Sequence, residues 1–284
     1  MTVIYDLEHT TTYYYRQPVA FGEHRAIFLP SAGRERILSY SVEANVAVKV
    51  RWKMDTLSNN VALLELSGSA KKLRIAYRLK AEHFGIPEIA AFPLDARAKT
   101  VSVQYTPDEW IDLMMFMRPH AEDPDGSVAA WAKHFVAGEQ VDTLDLLDRI
   151  MDSIWNTFTY QSREAEGTQP PGETLRFRAG TCRDYAWLMI EALRRLGFAC
   201  RFVSGYLYDA ALDGGEVGMT GSGATHAWLQ VYLPGAGWRA YDPTNRITTG
   251  FDLVRVAIAR HPGQVIPLSG SWLGDVQDYL GLDV

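Results

Sequence analysis

The sequence predicts an α+β protein in which the strands come first and the helices follow. Residues 1–105 are rich in β-branched and aromatic side chains that alternate between two faces. The pattern changes near Thr106-Pro107, after which apolar residues recur at helical spacing. A chain of 284 residues is about twice the size of a typical domain. We therefore expect an N-terminal β-sandwich over residues 1–105 and a second, mixed domain over residues 106–284.

The strand prediction depends on two stretches in which apolar residues occupy every second position. They are separated by TLSNN at residues 56–60, a sequence typical of a turn. Regular strands joined by short turns are typical of a β-sandwich. Because the sequence of this region shows no nucleophile, metal cluster or phosphate-binding loop, we interpret it as a structural or substrate-presenting module. The alternating residues are Val46, Val48, Val50 and Trp52 in the first stretch, and Leu73, Ile75, Tyr77 and Leu79 in the second.

Three segments after residue 105 have the features of helices. TPDEWIDLMMFMRP places Asp108 and Glu109 in a first helical turn, and DGSVAAWAKHFV has helical spacing. VDTLDLLDRIMDSIWNTF has the clearest amphipathic pattern. The polar stretch at residues 161–174 contains two prolines and predicts a loop. The apolar stripe of the third helix consists of Leu144, Leu147, Ile150, Met151 and Ile154.

Composition and charge exclude several classes of function. The net charge of -6 argues against a broad nucleic-acid-binding surface, which needs an excess of basic residues. No segment has the roughly 18 consecutive apolar residues of a membrane span, and the polar start does not resemble a signal peptide. Two cysteines, Cys182 and Cys200, argue against a structural zinc site or a disulfide in a reducing compartment. We expect a cytoplasmic protein that binds neither nucleic acid nor membranes; its oligomeric state stays open.

The strongest local pattern is GTCRDYAWLMIEALRRLGFACRFVSGY, which predicts a helix that begins at Cys182. Thr181 is a favourable N-cap, and Asp184 stands at the third helical position in a variant of the capping box. The positive end of a helix dipole stabilises a thiolate, which lowers the pKa of a cysteine placed there. The free backbone N–H groups of the first turn can also bind a developing oxyanion. Cys182 is therefore a candidate nucleophile.

Such a thiolate needs a base, and THAWLQVYLPGAGWRAYDPTN supplies one on the first of two predicted strands. His226 opens the first strand, and Asp242 ends the second, after a Pro-Gly turn. An imidazole can exchange the proton during acyl transfer. A carboxylate beside it fixes the tautomer and stabilises the imidazolium. Cys182, His226 and Asp242 are therefore the candidate catalytic residues.

The simplest hairpin does not bring the imidazole and the carboxylate together. A four-residue loop at residues 234–237 pairs Asp242 with Leu229, which is roughly 10 Å along the strand from His226. Contact requires a shifted register, a longer loop or a β-bulge, and we predict such an irregularity. A structure with the two side chains on opposite faces of the sheet would exclude a triad.

These residues resemble the core of the bacterial transglutaminase-like superfamily, which has a papain-like cysteine fold. The resemblance is carried by three blocks that follow one another in the family's order. The N-terminal sequence YDLEHTTTYYYRQPVAFGEHRAIFLP is also similar to the β domain that precedes this core in many bacterial members. The three blocks are Gly180-x-Cys182, His226-Ala227-Trp228, and Trp238 followed by Asp242-Pro243-Thr244.

The resemblance extends to the closing segment at residues 251–272, with one departure. Here Arg260-His261-Pro262-Gly263 stands where an Arg-Asp-Tyr run is common in the family. The departure concerns these loop residues and leaves the three blocks unchanged. The resemblance therefore spans most of the chain.

The resemblance implies a catalytic triad of Cys182, His226 and Asp242, with the cysteine helix packed on an antiparallel sheet. Members of the superfamily attack an amide with the thiol and form a thioester. Transglutaminases resolve it with an amine, whereas peptidases and amidases use water, and the sequence leaves this choice open. We expect a protein or peptide substrate and no metal or other cofactor. Tyr160 and Gln161 are candidate side-chain donors to the oxyanion.

Each candidate residue also has an ordinary structural interpretation. A single cysteine at a helix start is more often a small buried hydrophobic residue, and an aspartate before a proline is often a turn residue. The chain would then be a non-catalytic interaction module that retains the fold. Against this, a buried set of Cys182, His226 and Asp242 with no chemistry to perform would be costly. Cys200, in an apolar strand, is expected to be structural.

Overall fold

The structure, a computed structural model, describes residues 2–31, 35–84, 92–138, 140–161, 167–209, 211, 218–220, 225–248 and 252–284. The predicted α+β class is confirmed. The helices are α1 Pro107–Met117, α2 Ser127–His134, α3 Thr143–Thr157, α4 Pro171–Phe177 and α5 Cys182–Arg195. The strands are β1 Val3–Ala26, β2 Glu35–Ala44, β3 Ala47–Met54, β4 Asn60–Ser67, β5 Ser69–His83, β6 Thr159–Tyr160, β7 Ala179–Gly180, β8 Cys200–Leu207, β9 Thr225–Leu233, β10 Gly237–Tyr241, β11 Leu253–Ala259, β12 Leu268–Leu273 and β13 Tyr279–Asp283.

Contacts between residues divide the chain into two compact units. The division differs from the single boundary predicted between residues 105 and 106. The physical reason is strand pairing, because β12 and β13, near the C-terminus, hydrogen-bond to β1. The first unit comprises Met1–Gly85, Leu253–Ala257 and Ile266–Val284, and the second comprises Ile86–Asp252 and Ile258–Val265.

The first unit is built on one antiparallel sheet of seven strands. Its order is β2-β5-β1-β4-β3, with β12 and β13 also paired to β1. The 24-residue strand β1 changes partners along its length, from β5 and β13 to β4 and β12. Its register shifts between Tyr14 and Val19 and again between Phe21 and His24, and such irregularities bend a strand. The strands of the predicted sandwich thus form a single hydrogen-bonded sheet around one hydrophobic core. Buried in this core are Leu73, Ile75, Tyr77 and Leu79.

The second unit contains a sheet in which β10, β9 and β8 are neighbours in that order, and α5 packs against β9 and β8. Strand β9 is antiparallel to both β8 and β10. The predicted packing of the cysteine helix on an antiparallel sheet is therefore confirmed. The part of α5 that faces this core is closed to solvent, at Ala186, Met189, Ile190 and Leu193.

One predicted loop contains a helix. Residues 162–166 of the predicted loop at 161–174 lie outside the described residues, but α4 begins at Pro171, inside it. Pro170 and Pro171 occupy the N-cap and the first helical position. Proline is tolerated there because the first N–H groups of a helix have no partner within the helix. The two prolines therefore mark the start of a helix as well as the end of a loop.

Across the part of the chain that the structure describes, no helix combines the length and the apolar character needed to cross a bilayer. The cytoplasmic location stays a prediction.

Candidate active site

Cys182 is the first residue of α5, and it is 6% exposed. The predicted capping box of Thr181 and Asp184 is confirmed. The buried Asp184 carboxylate accepts hydrogen bonds at Oδ2 from the backbone N–H of Thr181 at 2.8 Å and from its hydroxyl at 2.9 Å. Its Oδ1 accepts the backbone N–H of Gln169 at 2.6 Å. These bonds fix the start of α5 and hold the thiol at the positive end of the helix dipole.

The glycine of the Gly180-x-Cys182 pattern follows from the same cap. A Cβ atom at Gly180 would lie 2.8 Å from the Cβ of Asp184, which is too close for two carbon atoms. A larger residue would therefore displace the capping carboxylate. The glycine allows the buried Asp184 to approach the backbone just before the helix.

The hairpin of β9 and β10 carries the other two candidate residues, and its loop is shorter than the simple prediction. Gly237 pairs with Leu233, which leaves three residues in the loop instead of four. Gly235 and Gly237 have positive φ angles of 84° and 70°. Glycine adopts such angles without steric cost, so the sequence permits the tight connection.

The short loop moves Asp242 to the face of the sheet that carries His226. Tyr241 pairs with Leu229, so the register, continued by one residue, sets Asp242 opposite Trp228. Because side chains alternate between faces, a shift of one residue transfers every side chain of the strand to the other face. The predicted irregularity is thus confirmed as a shifted register, and a shortened loop produces it.

His226 and Asp242 meet in a buried contact. Nε2 of the imidazole lies 2.8 Å from Oδ2 of the carboxylate, and both side chains are inaccessible to solvent. The backbone N–H of Thr244 donates to Oδ1 at 2.9 Å, and the side-chain amide of Asn245 donates to Oδ2 at 3.1 Å. The carboxylate therefore receives three donors and is held in one orientation.

The imidazole also interacts with Cys182. Burial by itself lowers the pKa of His226, but the charge and hydrogen-bonding interactions with Asp242 and Cys182 outweigh burial and raise that pKa to about 10. Nε2 of His226 forms the hydrogen bond with Asp242. Nδ1 is buried and makes no hydrogen bond of standard geometry to the described residues. Nδ1 is thus the ring nitrogen available for proton exchange with the thiol.

The two residues named as oxyanion donors, Tyr160 and Gln161, lie beside the start of α5. β6 and β7 pair in parallel, with Tyr160 opposite Gly180. The Tyr160 hydroxyl has hydrogen-bonding interactions with both the thiol and the backbone of Cys182, and burial together with the charge of Cys182 raises the pKa of Tyr160. The backbone N–H of Gln161 instead donates to the carbonyl of Gly180 at 2.9 Å. The tyrosine therefore interacts with Cys182, and the side chain of Gln161 stays a predicted donor.

Other residues near the site have structural roles or were missed in the sequence. Cys200 is fully buried, and burial raises the pKa of its thiol, as expected of a structural cysteine. Trp228 is buried, and its ring lies 6.1 Å from that of His226 at an angle of 24°. Asn245 was not singled out, although its position just after Asp242-Pro243-Thr244 was a usable signal. Among the described residues, no three or more His, Cys, Asp or Glu side chains are grouped to hold a metal ion.

Two family models match separate parts of the chain. Residues 129–243 match the transglutaminase-like superfamily, and residues 5–82 match the bacterial transglutaminase-like N-terminal region. The first match includes Cys182, His226 and Asp242.

Related proteins match parts of the chain. An uncharacterized protein of Mycobacterium leprae is 39% identical over 98 residues, which are 34% of this chain and 33% of that protein. An uncharacterized protein of Mycobacterium tuberculosis is 34% identical over 131 residues, 45% of this chain and 41% of that protein. A protein-glutamine gamma-glutamyltransferase of Pseudomonas aeruginosa is 34% identical over 76 residues, 25% of this chain and 10% of that protein. The chain thus spans less than half the length of these relatives.

A solved structure shares the fold. The crystal structure of a candidate cysteine protease from Cytophaga hutchinsonii matches with a TM-score of 0.67 and covers 100% of this chain and 91% of its own. The two sequences are 18% identical, so the likeness establishes the fold alone.

Proposed function

Since the chain joins a bacterial transglutaminase-like N-terminal region to a transglutaminase-like core, we propose that it transfers acyl groups from amides through a thioester on Cys182. In this mechanism the Cys182 thiolate is the nucleophile and His226 moves the proton. Asp242 orients the imidazole and stabilises its protonated form. The whole-chain activity is a proposal, because the named transferase shares a short segment with this chain.

The observation that carries the proposal is the buried contact of 2.8 Å between His226 Nε2 and Asp242 Oδ2. A buried carboxylate beside an imidazole favours the imidazolium, and the imidazolium in turn favours a thiolate at Cys182. The raised pKa of His226 agrees with this arrangement.

The acylation step follows from these positions. The Cys182 sulfur attacks the amide carbonyl carbon, and an S–C bond forms while the carbonyl oxygen becomes an oxyanion. The backbone N–H of Cys182 and the hydroxyl of Tyr160 are its donors in this proposal. When the carbonyl reforms, the C–N bond breaks, and His226 Nδ1 gives its proton to the leaving amine. The products are a thioester, a free amine or ammonia, and a neutral imidazole.

Deacylation reverses the proton transfer. Neutral His226 accepts a proton from the incoming nucleophile as that nucleophile attacks the thioester carbon. The C–S bond breaks, and the thiolate and imidazolium are restored. An amine gives a new amide, whereas water gives a carboxylic acid. We propose a glutamine carboxamide as donor and an amine as acceptor, in line with the name of the Pseudomonas aeruginosa relative.

Mass spectrometry with an N-blocked glutaminyl peptide, with and without methylamine, tests this proposal. Incorporation of methylamine with loss of ammonia, absent in Cys182→Ala, supports a transferase. If the peptide is deamidated and the added methylamine is not incorporated, the enzyme is a hydrolase. That result overturns the proposal of an amine as acceptor.

Alkylation by iodoacetamide separates both enzymes from a non-catalytic module. The proposed thiolate–imidazolium pair is alkylated rapidly at pH 6, and more slowly after His226→Ala. An alkylation profile of an ordinary thiol, with a pKa of about 8.5 and no response to His226→Ala, contradicts any enzyme role.

A further inference from the structure

The side chain of Asn245 links the candidate catalytic carboxylate to a distant part of the chain. Its Nδ2 donates to Asp242 Oδ2 at 3.1 Å and to the carbonyl of Thr220 at 3.1 Å. Its Oδ1 accepts the backbone N–H of Thr220 at 2.9 Å. The amide therefore makes two hydrogen bonds to one backbone unit and one hydrogen bond to the carboxylate.

This pattern fixes which way the amide faces. A flipped amide would place its N–H groups against the N–H of Thr220 and its oxygen against the Asp242 carboxylate. Both contacts would be repulsive. The hydrogen-bond network thus assigns the orientation, and one N–H of Asn245 must point at Oδ2.

The segment that holds Asn245 is itself anchored. Asp209 follows β8 and is 1% exposed. Its Oδ2 accepts the backbone N–H of Met219 at 2.7 Å, and its Oδ1 accepts that of Ala211 at 2.9 Å. A buried carboxylate therefore fixes the residue next to Thr220, so that Thr220 offers Asn245 a defined partner.

The turn that contains Asn245 is also closed on its other side. The backbone N–H of Asp242 donates to the carbonyl of Ile247 at 2.8 Å. Arg246 has a positive φ of 59°, a strained angle for a residue with a side chain. Its guanidinium makes two contacts with Asp152, at 2.6 and 3.0 Å. The turn presents Asn245 toward Asp242.

We propose that Asn245 is a positioning residue that aligns Asp242 with His226. Oδ2 of Asp242 receives both His226 Nε2 and Asn245 Nδ2, so the amide restrains the plane of the carboxylate as it meets the imidazole. Without the amide, Oδ2 keeps only its contact with His226, so the plane of the carboxylate is less restrained as it meets the imidazole. This inference depends on the proposed function, because it assigns Asp242 and His226 to one catalytic unit.

Three variants separate hydrogen bonding from shape. Asn245→Ala removes the amide, and Asn245→Leu removes it while a side chain of similar size remains. Thr220→Ala is the matched control, because both contacts of Thr220 with Asn245 come from its backbone. All are compared with the wild type by thermal unfolding, by the rate of Cys182 alkylation with iodoacetamide at pH 7, and by the NMR signal of the His226 Nε2 proton.

We expect alkylation to slow about tenfold in both Asn245 variants, as for loss of one hydrogen bond to a charged group, and the Nε2 proton signal to move upfield. Thr220→Ala keeps the wild-type rate and signal. A wild-type rate in Asn245→Leu assigns the residue to space-filling and overturns the inference, as does an unchanged rate and signal in folded Asn245→Ala. Slow alkylation of the wild-type protein, with the profile of an ordinary thiol, instead contradicts the proposed function.

Discussion

A buried polar cluster lies at each end of α5. Both clusters are closed to solvent, but they differ in how completely their polar atoms are hydrogen-bonded. Near the C-terminal end, Glu191 and Arg194 form an ion pair of 3.0 Å with both side chains inaccessible to solvent. Near the N-terminal end, His226 and Asp242 form a contact of 2.8 Å that is equally inaccessible, next to Cys182. Burial of charge alone therefore does not separate structure from chemistry.

The C-terminal cluster is saturated with hydrogen bonds. The Arg194 guanidinium also donates to three backbone carbonyls, and the Glu191 carboxylate also accepts from two backbone N–H groups and from a second arginine. Such a network stabilises a fold because every polar atom removed from water finds a partner. The carbonyls belong to Phe116 at 2.9 Å, Cys200 at 2.9 Å and Arg260 at 2.6 Å, and the other donors to Glu191 are His120, Ala121 and Arg195.

The N-terminal cluster is not saturated in the same way. Asp242 is saturated with three donors, but Nδ1 of His226 makes no standard hydrogen bond to the described residues. An unsatisfied buried nitrogen costs stability, and it is also what a proton-transfer group requires. The difference teaches that in this protein an imidazole that interacts with a thiol, more than the buried charge, marks the candidate site.

The largest effect is expected at the N-terminal end, where a substitution should remove activity and leave stability nearly unchanged. Cys182→Ala should reduce activity on a glutaminyl peptide by at least about 10⁴-fold, because loss of the nucleophile leaves binding and oxyanion contacts alone. The free energy of unfolding should change by about 1 kcal/mol or less, as measured in urea. Residual activity within tenfold of the wild type would assign the chemistry to another residue.

At the C-terminal end we expect the reverse, a loss of stability without a loss of activity. Glu191→Ala leaves the Arg194 charge buried without its carboxylate, so it should lower the free energy of unfolding by about 3–5 kcal/mol. Activity per folded molecule should remain, because Glu191 contacts none of the candidate catalytic residues. Lost activity in a fully folded Glu191→Ala protein would refute the distinction between the two clusters.

This contrast also explains how much of the site could be predicted. The start of α5 depends on contacts within four residues, between Thr181, Asp184 and Gly180, so the sequence determines it locally. The blocks with His226 and Asp242 were likewise recognisable from residue type and order. Each of these features is local, which is why the family resemblance and the cap could be predicted together.

The remaining features depend on contacts that no local pattern encodes. The register of β9 and β10 depends on a loop of three residues where four were assumed, and one residue decides which face Asp242 occupies. The role of Asn245 depends on Thr220, 25 residues away in sequence. The return of β12 and β13 to β1 likewise joins the two ends of the chain.

The pH dependence of stability provides a third test of the comparison. In the folded protein the pKa of His226 is raised to about 10 from its usual value of 6.5. A raised pKa adds stability that is fully present below pH 6.5 and is lost as pH rises through 10. The wild type should therefore lose stability relative to His226→Gln between these values, as measured by urea unfolding at several pH values. Parallel curves for the two proteins would show that the imidazole carries no such charge.

The smallest expected effect concerns Tyr160, whose hydroxyl interacts with Cys182. The side chain is 37% exposed, so its hydrogen bond to an oxyanion competes with water and should contribute less than a fully buried donor. We expect Tyr160→Phe to lower kcat about tenfold with little change in KM, as for one hydrogen bond to a charged group. Tyr105→Phe is the matched control, because its phenol bonds the backbone of Ala199 and Tyr232, away from Cys182. That control should lower stability and leave kcat unchanged. If both phenylalanine variants lower kcat equally, the effect comes from general loosening of the core, and Tyr160 has no direct part in the reaction.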